Sequence, residues 1–525
     1  MPQKGFMFNS IKSFFVKENS IKGASIILIV TLAFSNILGV FRDHFLAQKI
    51  PTDRLDVYFA AFRLPDLIFN ILILGSVAAA FVPVYSKYLK EKGQKQATEL
   101  AQSVITIGLV AVLISLGVLF FLMPYLMQGL VPDFNLAKRS ETVELARWLL
   151  LSPVFFTISY FLGGILNSHK RFLTYSIAPL IYNLSIIFGV LIFADQIGVK
   201  GVVIGVIVGS ILHMLIQLPS AIKVGFKIGF RFDYKNPGVR RVIKLMIPRA
   251  IGLGANQILL VAFTIFASAF PGAIAIYSFA DNIQTVPSVV FGTSFATAIF
   301  PTLAGLSLSK KEEREKFSNF FIKAARVVIF LMLPSTALLI ILRAQVIRLI
   351  LGYGFFGWSD THAASATLGF FALSVIAQGL IPLLARSFFA LHDTKTPMIS
   401  SIIGIIISII SGFLFSRVIG GAVSGVAGLA LAFSIGSWAN FLVLLYLIRK
   451  KLEIETADFS LFVLKTITLT LIMVIITQFS KIVLANLVDI NRVRFLALQT
   501  LVALIVAAIV YLGGAWILRF KEIRS

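Results

Sequence analysis

The segment Ser35–Pro83 reads SNILGVFRDHFLAQKIPTDRLDVYFAAFRLPDLIFNILILGSVAAAFVP and contains two apolar runs that carry charges where a membrane helix usually has none. The charged residues within these runs or at their edges are Arg42, Asp43, Asp56, Arg63 and Asp66. Ionisable groups inside a bilayer are costly, so they occur mainly where they face a partner or a water-filled cavity. If both runs cross a membrane, the segment predicts a functional polar cavity.

The composition of the whole chain indicates a membrane protein. Hydrophobic residues make up 58% of the 525 residues, the mean hydropathy is +0.94, and only 13% of residues are charged. A soluble domain has about 25% charged residues. Apolar runs of about 20 residues, long enough to cross the hydrocarbon core as helices, recur along the chain, so we expect an all-α polytopic protein with about fourteen transmembrane helices. The predicted spans are 24–48, 60–86, 101–129, 145–168, 173–195, 201–222, 243–270, 274–306, 319–346, 363–391, 397–416, 421–448, 460–488 and 495–518.

The formal net charge of +24 comes from Lys and Arg residues scattered over short loops rather than from a basic domain. With the N-terminus inside, the predicted cytoplasmic segments hold about 29 Lys and Arg residues and the outer loops about 12, which is the positive-inside pattern. The pattern predicts a multi-pass protein with both termini in the cytoplasm and argues against a nucleic-acid partner. A basic membrane protein concentrates anions, so membrane lipids are expected partners.

Long basic links suggest how the spans are grouped. The predicted order is an interfacial N-terminal segment at 1–23, an N-lobe with six spans at 24–222, a cytoplasmic linker at 223–242, a C-lobe with six spans at 243–448, and two last spans with a cytoplasmic tail at 449–525. A weak internal repeat supports the two lobes, since the sequence up to Pro83 resembles the sequence up to Pro301, with Arg63 opposite Asp281. Two six-helix halves related by a parallel repeat are typical of transporters that bind substrate between the halves.

Catalytic and metal motifs are absent from the sequence, which predicts a transporter rather than an enzyme. The chain has no cysteine, its five histidines are scattered, and neither a GxSxG motif nor a Gly-rich phosphate loop followed by Lys occurs. We therefore expect no cofactor. Energy would come from ion gradients, with a monovalent ion of unknown identity, from the membrane potential, or from downstream use of the substrate.

Short motifs in a fixed order carry a resemblance to one family. They are LGVFRD around Arg42 and Asp43, the run from Asp56 to Pro65 followed by Gly75 and AFVP, ILNSHKRF with Pro179 and Asn183, YSFAD at 277–281 with Pro287 and Pro301, and RSFFALHDTKTP at 386–397. Over nearly its whole length the chain resembles the MurJ (MviN) family of lipid II flippases, within the multidrug, oligosaccharidyl-lipid and polysaccharide exporter superfamily.

The resemblance implies a two-lobed, V-shaped carrier in the bacterial inner membrane, with a central cationic cavity and a groove at the two terminal spans for a lipid tail. Such a carrier moves an undecaprenyl-pyrophosphate-linked peptidoglycan precursor, lipid II, to the outer leaflet for cell-wall biogenesis. Arg42 is then the leading phosphate ligand, because a guanidinium offers a fixed fork of donors that suits phosphate oxygens. The other residues predicted to line or shape the cavity are Asp43, Asp56, Arg63, Asn36, Arg249, Asp281 and Asn282.

The chain also departs from the family pattern. The family usually has Arg where this chain has Asn36, Phe69 and Asn282, and an acidic residue where Leu74 precedes a glycine. Arg249 could supply a relocated cation. Either the headgroup is held by fewer arginines, or the headgroup differs, or transport activity has been lost.

Each of these residues also has a purely structural interpretation. Arg42 with Asp43 could be an ion pair at a helix end, and Arg63 with Asp66 could be a local pair beside the kink at Pro65. Asn36 and Asn282 could be packing amides, and Arg249 could be an interfacial anchor. Asp393, a weak candidate ligand for a cation, fits the capping of the helix that starts near Pro397.

Three functions remain open from the sequence. The first is lipid II flipping, and the second is export of another polyprenyl-linked glycan or of an amphipathic small molecule. The third is a non-transporting scaffold that recruits cell-wall synthesis enzymes through its cytoplasmic loops.

Overall fold

The computed structural model describes residues 21–74, 77–306, 311–418, 425–452, 457–489 and 492–520. Within its helices, the side chains of 21–30, 32–33, 78–79, 247–253, 255, 311, 417–418 and 457 are outside the described residues. Most of the predicted interfacial segment at 1–23 therefore lies outside the part of the chain that can be compared with the prediction.

Every regular element in the described ranges is a helix, as the apolar runs predict. The first half contains α1 (Ile21–Lys49), α2 (Thr52–Phe69), the π-helices π1 (Asn70–Leu74) and π2 (Val77–Phe81), α3 (Val82–Leu130), α4 (Leu136–Leu149), α5 (Leu151–Ser168), α6 (Phe172–Ile197), α7 (Val199–Leu215), α8 (Leu218–Lys223) and α9 (Pro237–Ala267). The second half contains α10 (Ala273–Pro287), π3 (Ser288–Thr293), α11 (Ser294–Ala304), α12 (Lys311–Ile350), α13 (Trp358–Ala372), α14 (Val375–Ala390), α15 (Lys395–Phe413), π4 (Leu414–Val418), α16 (Val426–Leu452), α17 (Ala457–Leu487) and α18 (Val493–Ile517).

Eleven helical stretches in the described residues are long and apolar enough to cross a membrane, or twelve if α13 and α14, bent by 42°, form one span. The chain is a multi-pass membrane protein. The predicted spans 24–48 and 243–270 coincide with α1 and α9, which both include residues whose side chains are not described. The total of fourteen spans stays a prediction.

The chain forms two compact units, 1–271 and 272–525. Helix α9, predicted to open the second lobe, packs against α3 and π1 of the first unit, and the predicted linker 223–242 also lies in that unit. The functional lobe boundary at 223–242 stays a prediction.

The internal repeat is visible in local structure. Pro83 and Pro301 are 218 residues apart, and the same spacing separates the starts of π1 at Asn70 and π3 at Ser288. The turns that follow α5 and α14 also correspond, since each contains a non-glycine residue with positive φ, Lys170 at 57° and His392 at 58°. Such conformations are uncommon for non-glycine residues. The two turns are 222 residues apart, close to the spacing of the prolines and π-helices, so the two halves contain two versions of one helical unit.

Small residues let two helix pairs pack backbone to backbone. A Cβ atom on Gly189 of α6 would lie 2.7 Å from the Cα atom of Gly205 in α7, and a Cβ atom on Gly404 of α15 would lie 2.7 Å from the carbonyl oxygen of Gly436 in α16. Because helices in lipid associate through close packing rather than through the hydrophobic effect, these contacts are major sources of their association.

Candidate functional site

Arg42 lies near the end of α1, where it is held from two sides. Its Nε and Nη2 atoms donate to the same carboxylate oxygen of Asp43, at 3.0 and 2.7 Å, and its Nη1 atom donates to the Oδ1 atom of Asn183 at 3.2 Å. The side chain of Asp43 is only 2% exposed, whereas that of Arg42 keeps 19% exposure. The carboxylate of Asp43 is therefore enclosed by protein, whereas part of the Arg42 side chain stays accessible.

The geometry leaves donors on Arg42 for a ligand. A guanidinium carries five N–H groups, and the contacts to Asp43 and Asn183 use three of them, which leaves one on each terminal nitrogen within the described structure. Two N–H groups on one planar fork suit the oxygens of a phosphate. The buried carboxylate of Asp43 holds the guanidinium in this orientation.

Asn183 reaches Arg42 because α6 packs along α1. The Nδ2 atom of Asn183 donates to the carbonyl oxygen of Pro179 at 3.3 Å and approaches the backbone and side-chain oxygens of Ser35 at 3.5 Å. These contacts turn the amide oxygen toward Arg42. Asn183 is thus a positioning residue of this cluster.

Phe69, where the resemblance predicts Arg, lies in an aromatic cluster that we define as Phe69, Phe156, Tyr160, Tyr182 and His213. The ring of Phe69 lies 5.2 Å from that of Tyr160 and 5.6 Å from that of Phe156. At one end of the cluster the Nδ1 atom of His213 lies 2.7 Å from the Oγ atom of Ser159. A guanidinium is replaced here by packed apolar surface.

Arg63 of α2 forms a hydrogen bond with α9, which lies in the same unit. Its Nε atom donates to the Oγ1 atom of Thr264 in α9 at 2.9 Å, and that hydroxyl donates to the carbonyl oxygen of Leu260 at 2.7 Å. Asp66 lies close enough to interact electrostatically with Arg63 and is itself exposed. The contact joins α2 to α9, so Arg63 is more than the local partner of Asp66.

Asp56 is fully buried and belongs to a separate ion-pair cluster. The Nζ atom of Lys138 in α4 donates to Asp56 at 3.2 Å and also to Asp53, and it lies 4.1 Å from the ring centroid of Phe134. A single ammonium thus bridges two carboxylates one helical turn apart. This arrangement favours a structural role for Asp56 in joining α2 to α4.

The second unit contains a chain of polar side chains around Asp281. Gln284 donates to the Oδ1 atom of Asp281 at 2.9 Å, and Gln378 in α14 donates to the Oε1 atom of Gln284 at 2.9 Å and to Ser374 at 2.7 Å. Asn282 is partly buried next to this chain. Asp281 is therefore part of a hydrogen-bonded network with Gln284, Gln378 and Ser374, three residues that the sequence analysis did not single out.

Asn36 lies on α1, partly buried and engaged in contacts. Arg249 lies in α9, but its side chain is outside the described residues. The roles assigned to both from the sequence stay predictions.

Known proteins provide an independent comparison. The family model described as lipid II flippase MurJ matches residues 52–498. The chain belongs to the lipid II flippase MurJ family.

Individual relatives are distant but match over most of their length. The chain is 28% identical over 467 residues to the probable lipid II flippase MurJ of Rickettsia prowazekii, covering 87% of this chain and 90% of that protein. It is 25% identical over 432 residues to the lipid II flippase MurJ of Burkholderia cenocepacia, covering 79% and 81%. A solved structure of lipid II flippase MurJ in an inward closed conformation matches with a TM-score of 0.79 at 25% identity, covering 95% of this chain and all of that one.

The fold is shared more widely than the MurJ family. An inward-facing multidrug resistance transporter of the MATE family in the MOP superfamily matches with a TM-score of 0.66 at 15% identity, covering 81% of this chain and 98% of that one. At that identity the match shows the fold alone. The exporter fold predicted from the sequence is confirmed.

An apolar slot of about 460 Å³ opens within the second unit of this MurJ-family protein. It lies among α12, α14, α16 and α17, and Arg449 and Ser460 are its polar lining residues. The apolar lining residues are Phe321, Ile322, Ala325, Ile329, Leu380, Leu383, Leu384, Phe441, Leu445, Phe459, Val463, Leu464 and Ile467. The resemblance predicted a tail groove at the two terminal spans, and of these only α17 lines the slot.

Asp393 lies in the turn between α14 and α15. Its carboxylate accepts hydrogen bonds from the backbone nitrogen of Thr396 at 3.0 Å, from the hydroxyl of Thr396 at 2.8 Å and from the Nζ atom of Lys451 at 2.5 Å. No group of three or more candidate metal ligands occurs among the residues that the structure describes. The capping role predicted for Asp393 matches these contacts, whereas a cation site there stays a prediction.

The stability of the α15–α16 end is expected to depend on pH through Asp393. Burial raises the pKa of Asp393, but the hydrogen bonds from Lys451 and Thr396 outweigh it and lower the pKa from 3.8 to about 2. The ionised group therefore stabilises the fold above about pH 4, and this contribution is lost as the pH falls toward 2. After allowance for solvent screening we expect about 1 kcal/mol.

The measurement is thermal unfolding of the purified protein in detergent between pH 7.5 and 3 for the native chain and Asp393→Asn. The variant should melt at a lower temperature at neutral pH, and the difference between the two melting temperatures should narrow as the pH falls from about 4 to 3. Asp458→Asn, which changes an exposed carboxylate of α17, serves as the control. If the difference in melting temperature between the native chain and Asp393→Asn stays the same down to the lowest pH, the ionised form of Asp393 contributes nothing to stability.

Proposed function

We propose that this protein is a flippase that moves lipid II, an undecaprenyl-pyrophosphate-linked glycopeptide, from the inner to the outer leaflet of the bacterial plasma membrane during cell-wall biogenesis. Membership of the lipid II flippase MurJ family supports this function. The observation that carries it is Arg42, fixed by Asp43 and Asn183 with two N–H groups to spare.

The chemistry of Arg42 fits a pyrophosphate that must leave water. A charged headgroup near hydrocarbon needs charge-assisted hydrogen bonds to replace its hydration, and these are roughly twice as strong as neutral ones. Asp43 holds the guanidinium in place and partly neutralises its positive charge. In this proposal the affinity of Arg42 for the pyrophosphate is therefore moderate, so that the lipid can bind on one side of the membrane and be released on the other.

The apolar slot supports a substrate that carries a long hydrocarbon tail. Its walls are almost entirely Leu, Ile, Val, Ala and Phe side chains, and Arg449 lies among the residues that line it. A slot of 460 Å³ is within the range of small-molecule pockets, about 300–1,000 Å³. In this proposal the slot holds part of the polyprenyl chain.

Alternating access between the lobes, with both termini in the cytoplasm, completes the proposal. A cationic site responds to the membrane potential, which is worth about 2.3 kcal/mol per charge per 100 mV. We propose that this potential or a monovalent-ion gradient resets the carrier, and that cell-wall synthesis enzymes act on the lipid that it delivers.

The aromatic cluster favours a second candidate, a carrier for another polyprenyl-linked glycan or an amphipathic small molecule. The ring of Phe69 packs against two other aromatic rings at a position where MurJ relatives are expected to have a cation. The cavity therefore has fewer positive charges than the resemblance implies. A substrate with one phosphate instead of two would suit such a site.

Reconstitution separates these candidates. The purified protein is placed in liposomes with fluorescent lipid II, with an undecaprenyl-monophosphate-linked sugar, or with a fluorescent phospholipid, and the fraction that reaches the opposite leaflet is followed with a membrane-impermeant quencher. We expect translocation of lipid II well above that in protein-free liposomes. Faster movement of the monophosphate lipid than of lipid II would replace the first candidate with the second, and movement of none of them would refute both.

A further inference from the structure

The segment between α8 and α9 has an unusual alternating sequence. From Phe226 to Lys235 it reads FKIGFRFDYK, with apolar or aromatic residues at even positions and Lys, Gly, Arg or Asp at odd positions. It contains no helix up to Asp233 and belongs entirely to the first unit. Alternation of this kind is typical of a chain that turns one face to a polar and the other to an apolar environment.

The polar face of the segment lies on a stripe of α3. Four polar residues of α3 recur every fourth position, Gln94, Thr98, Gln102 and Thr106, and so lie along one side of the helix. The hydroxyl of Thr98 donates to the carbonyl oxygen of Gly225 at 3.4 Å, Gln102 donates to that of Lys227 at 2.8 Å, and the backbone nitrogen of Arg231 donates to Thr106 at 3.2 Å. These three hydrogen bonds hold the segment along α3.

Side chains of the odd positions also face α3. Arg231 forms an ion pair with Glu99 at 3.0 Å. A Cβ atom on Gly229 would lie 2.8 Å from the Nε2 atom of Gln102, so a glycine permits the close approach at this point. Positions 229 and 231 therefore face the helix, which turns Ile228, Phe230 and Phe232 away from it, whereas Phe226 at the start of the segment is buried.

The end of the segment is fixed as well. The Oδ1 atom of Asn236 accepts from the backbone nitrogen of Gly238 at 2.8 Å and from the hydroxyl of Tyr88 at 3.1 Å, which caps α9 and anchors the turn to α3. Asp233 accepts from the backbone nitrogen of Asn236 at 3.1 Å. The even-numbered side chains are thus presented by a rigid support.

Four of the even-numbered side chains are exposed, and basic residues outnumber acidic ones around them. The exposed fractions are 63% for Ile228, 86% for Phe230, 64% for Phe232 and 54% for Tyr234. The basic residues in and around the segment are Lys223, Lys227, Arg231, Lys235, Arg240 and Arg241, against Asp233 in the segment and Glu99 of α3, which both pair with Arg231. We propose that residues 226–235 form a docking surface for anionic phospholipids, with the aromatic side chains inserted at the headgroup level of the bilayer.

Three features favour lipid as the occupant. The segment directly follows the apolar stretch 199–223, which is long and apolar enough to cross a membrane, and it precedes α9, where the sequence predicts the next span. Aromatic side chains are enriched at the membrane–water interface. Basic residues beside them are attracted to anionic headgroups, so the charge of this surface complements that of the lipid.

The absence of cysteine from the chain allows a clean test. Phe230→Cys and Phe232→Cys are labelled with an environment-sensitive fluorophore in the full-length protein, and Gln96→Cys, on an exposed and polar position of α3, is the matched control. The protein is placed in nanodiscs of phosphatidylcholine, alone or mixed with phosphatidylglycerol. In a nanodisc both faces of the bilayer are accessible to an aqueous quencher. Quenching is measured with aqueous iodide and with lipids brominated near the headgroup.

We expect iodide quenching at positions 230 and 232 to be at least about threefold weaker than at position 96, with strong quenching by the brominated lipid. The shielding should increase with phosphatidylglycerol and decrease in high salt. Labels at 230 and 232 as open to iodide as the control would overturn the proposal. Shielding from iodide without lipid quenching would also overturn it, because it would indicate that protein covers the surface, and equal shielding in both lipid mixtures would refute the preference for anionic lipid.

Discussion

Replacing Arg42 and Asp43 together, as Arg42→Gln with Asp43→Asn, is expected to abolish lipid II transport while the protein remains folded in the membrane. The two amides can hydrogen-bond to each other and to Asn183, so neither leaves a buried charge unpaired. What is lost is the cation that meets the phosphate. At about 1.5–3 kcal/mol for each hydrogen bond to a charged group, the rate should fall by about 10-fold to 100-fold or more.

The double variant is preferable to Arg42→Ala, because the single change removes the cation that pairs with the carboxylate of Asp43, 2% exposed, and removing one partner of a buried ion pair costs about 3–5 kcal/mol. The assay is rescue of cells depleted of their own lipid II flippase, with membrane abundance measured in parallel. Arg54→Gln, which removes an exposed arginine paired with Glu141 at 2.8 Å, is the control and should rescue fully. Normal rescue by the Arg42/Asp43 variant would remove Arg42 from the substrate site.

A leucine at Gly205 is expected to prevent folding of the first unit. Its Cβ atom would lie 2.9 Å from the carbonyl oxygen of Ser185 and 3.0 Å from the Cα atom of Gly189, and both are backbone atoms that move only if α6 and α7 separate. Overpacking usually costs about 1–3 kcal/mol of stability. Separating two helices that pack backbone to backbone should cost more than that. We expect little monodisperse protein after solubilisation in detergent.

Gly117→Leu in α3 is the matched control, since a Cβ atom there has nothing within 4 Å. That variant should elute from size-exclusion chromatography and melt like the native protein. Comparable yields for the two leucine variants would mean that α6 and α7 can repack around a side chain, against the geometry of the glycine contact.

Much of the fold could be predicted from the sequence because lipid imposes simple rules. The apolar runs and the repeated proline-containing segment depend on local composition or on short patterns. The π-helices could not be predicted, since nothing in NILIL or SVVFGT sets their hydrogen bonding apart from that of an ordinary helix. They are rare insertions in α-helices and often lie at functional positions.

The partners of the charged residues were the main element that the sequence did not reveal. Arg42 meets Asn183 across 141 residues, Arg63 meets Thr264 across 201, and Asp56 meets Lys138 across 82. Such pairs depend on which helix faces pack together, and no spacing rule relates them. One signal was available, because Asp53 and Asp56 share a helical face and two carboxylates there require a nearby cation.

Phe69 shows the limit of a resemblance. The family pattern predicts which residue type is missing, but only the neighbouring rings of Phe156 and Tyr160 show what replaced it. The position has become part of a packed cluster, so restoring Arg there would require space as well as charge.

The π-helices also bear on how the helices around them can bend. A π-turn breaks the regular hydrogen bonding of an α-helix, and such turns are frequent at functional sites. Asn70–Leu74 and Ser288–Thr293 place this break at the same position of the repeat, whereas Val77–Phe81 and Leu414–Val418 each occur in one half. The two halves therefore share one local irregularity, at which the helix that contains Arg63 and the helix that contains Asp281 can each change direction.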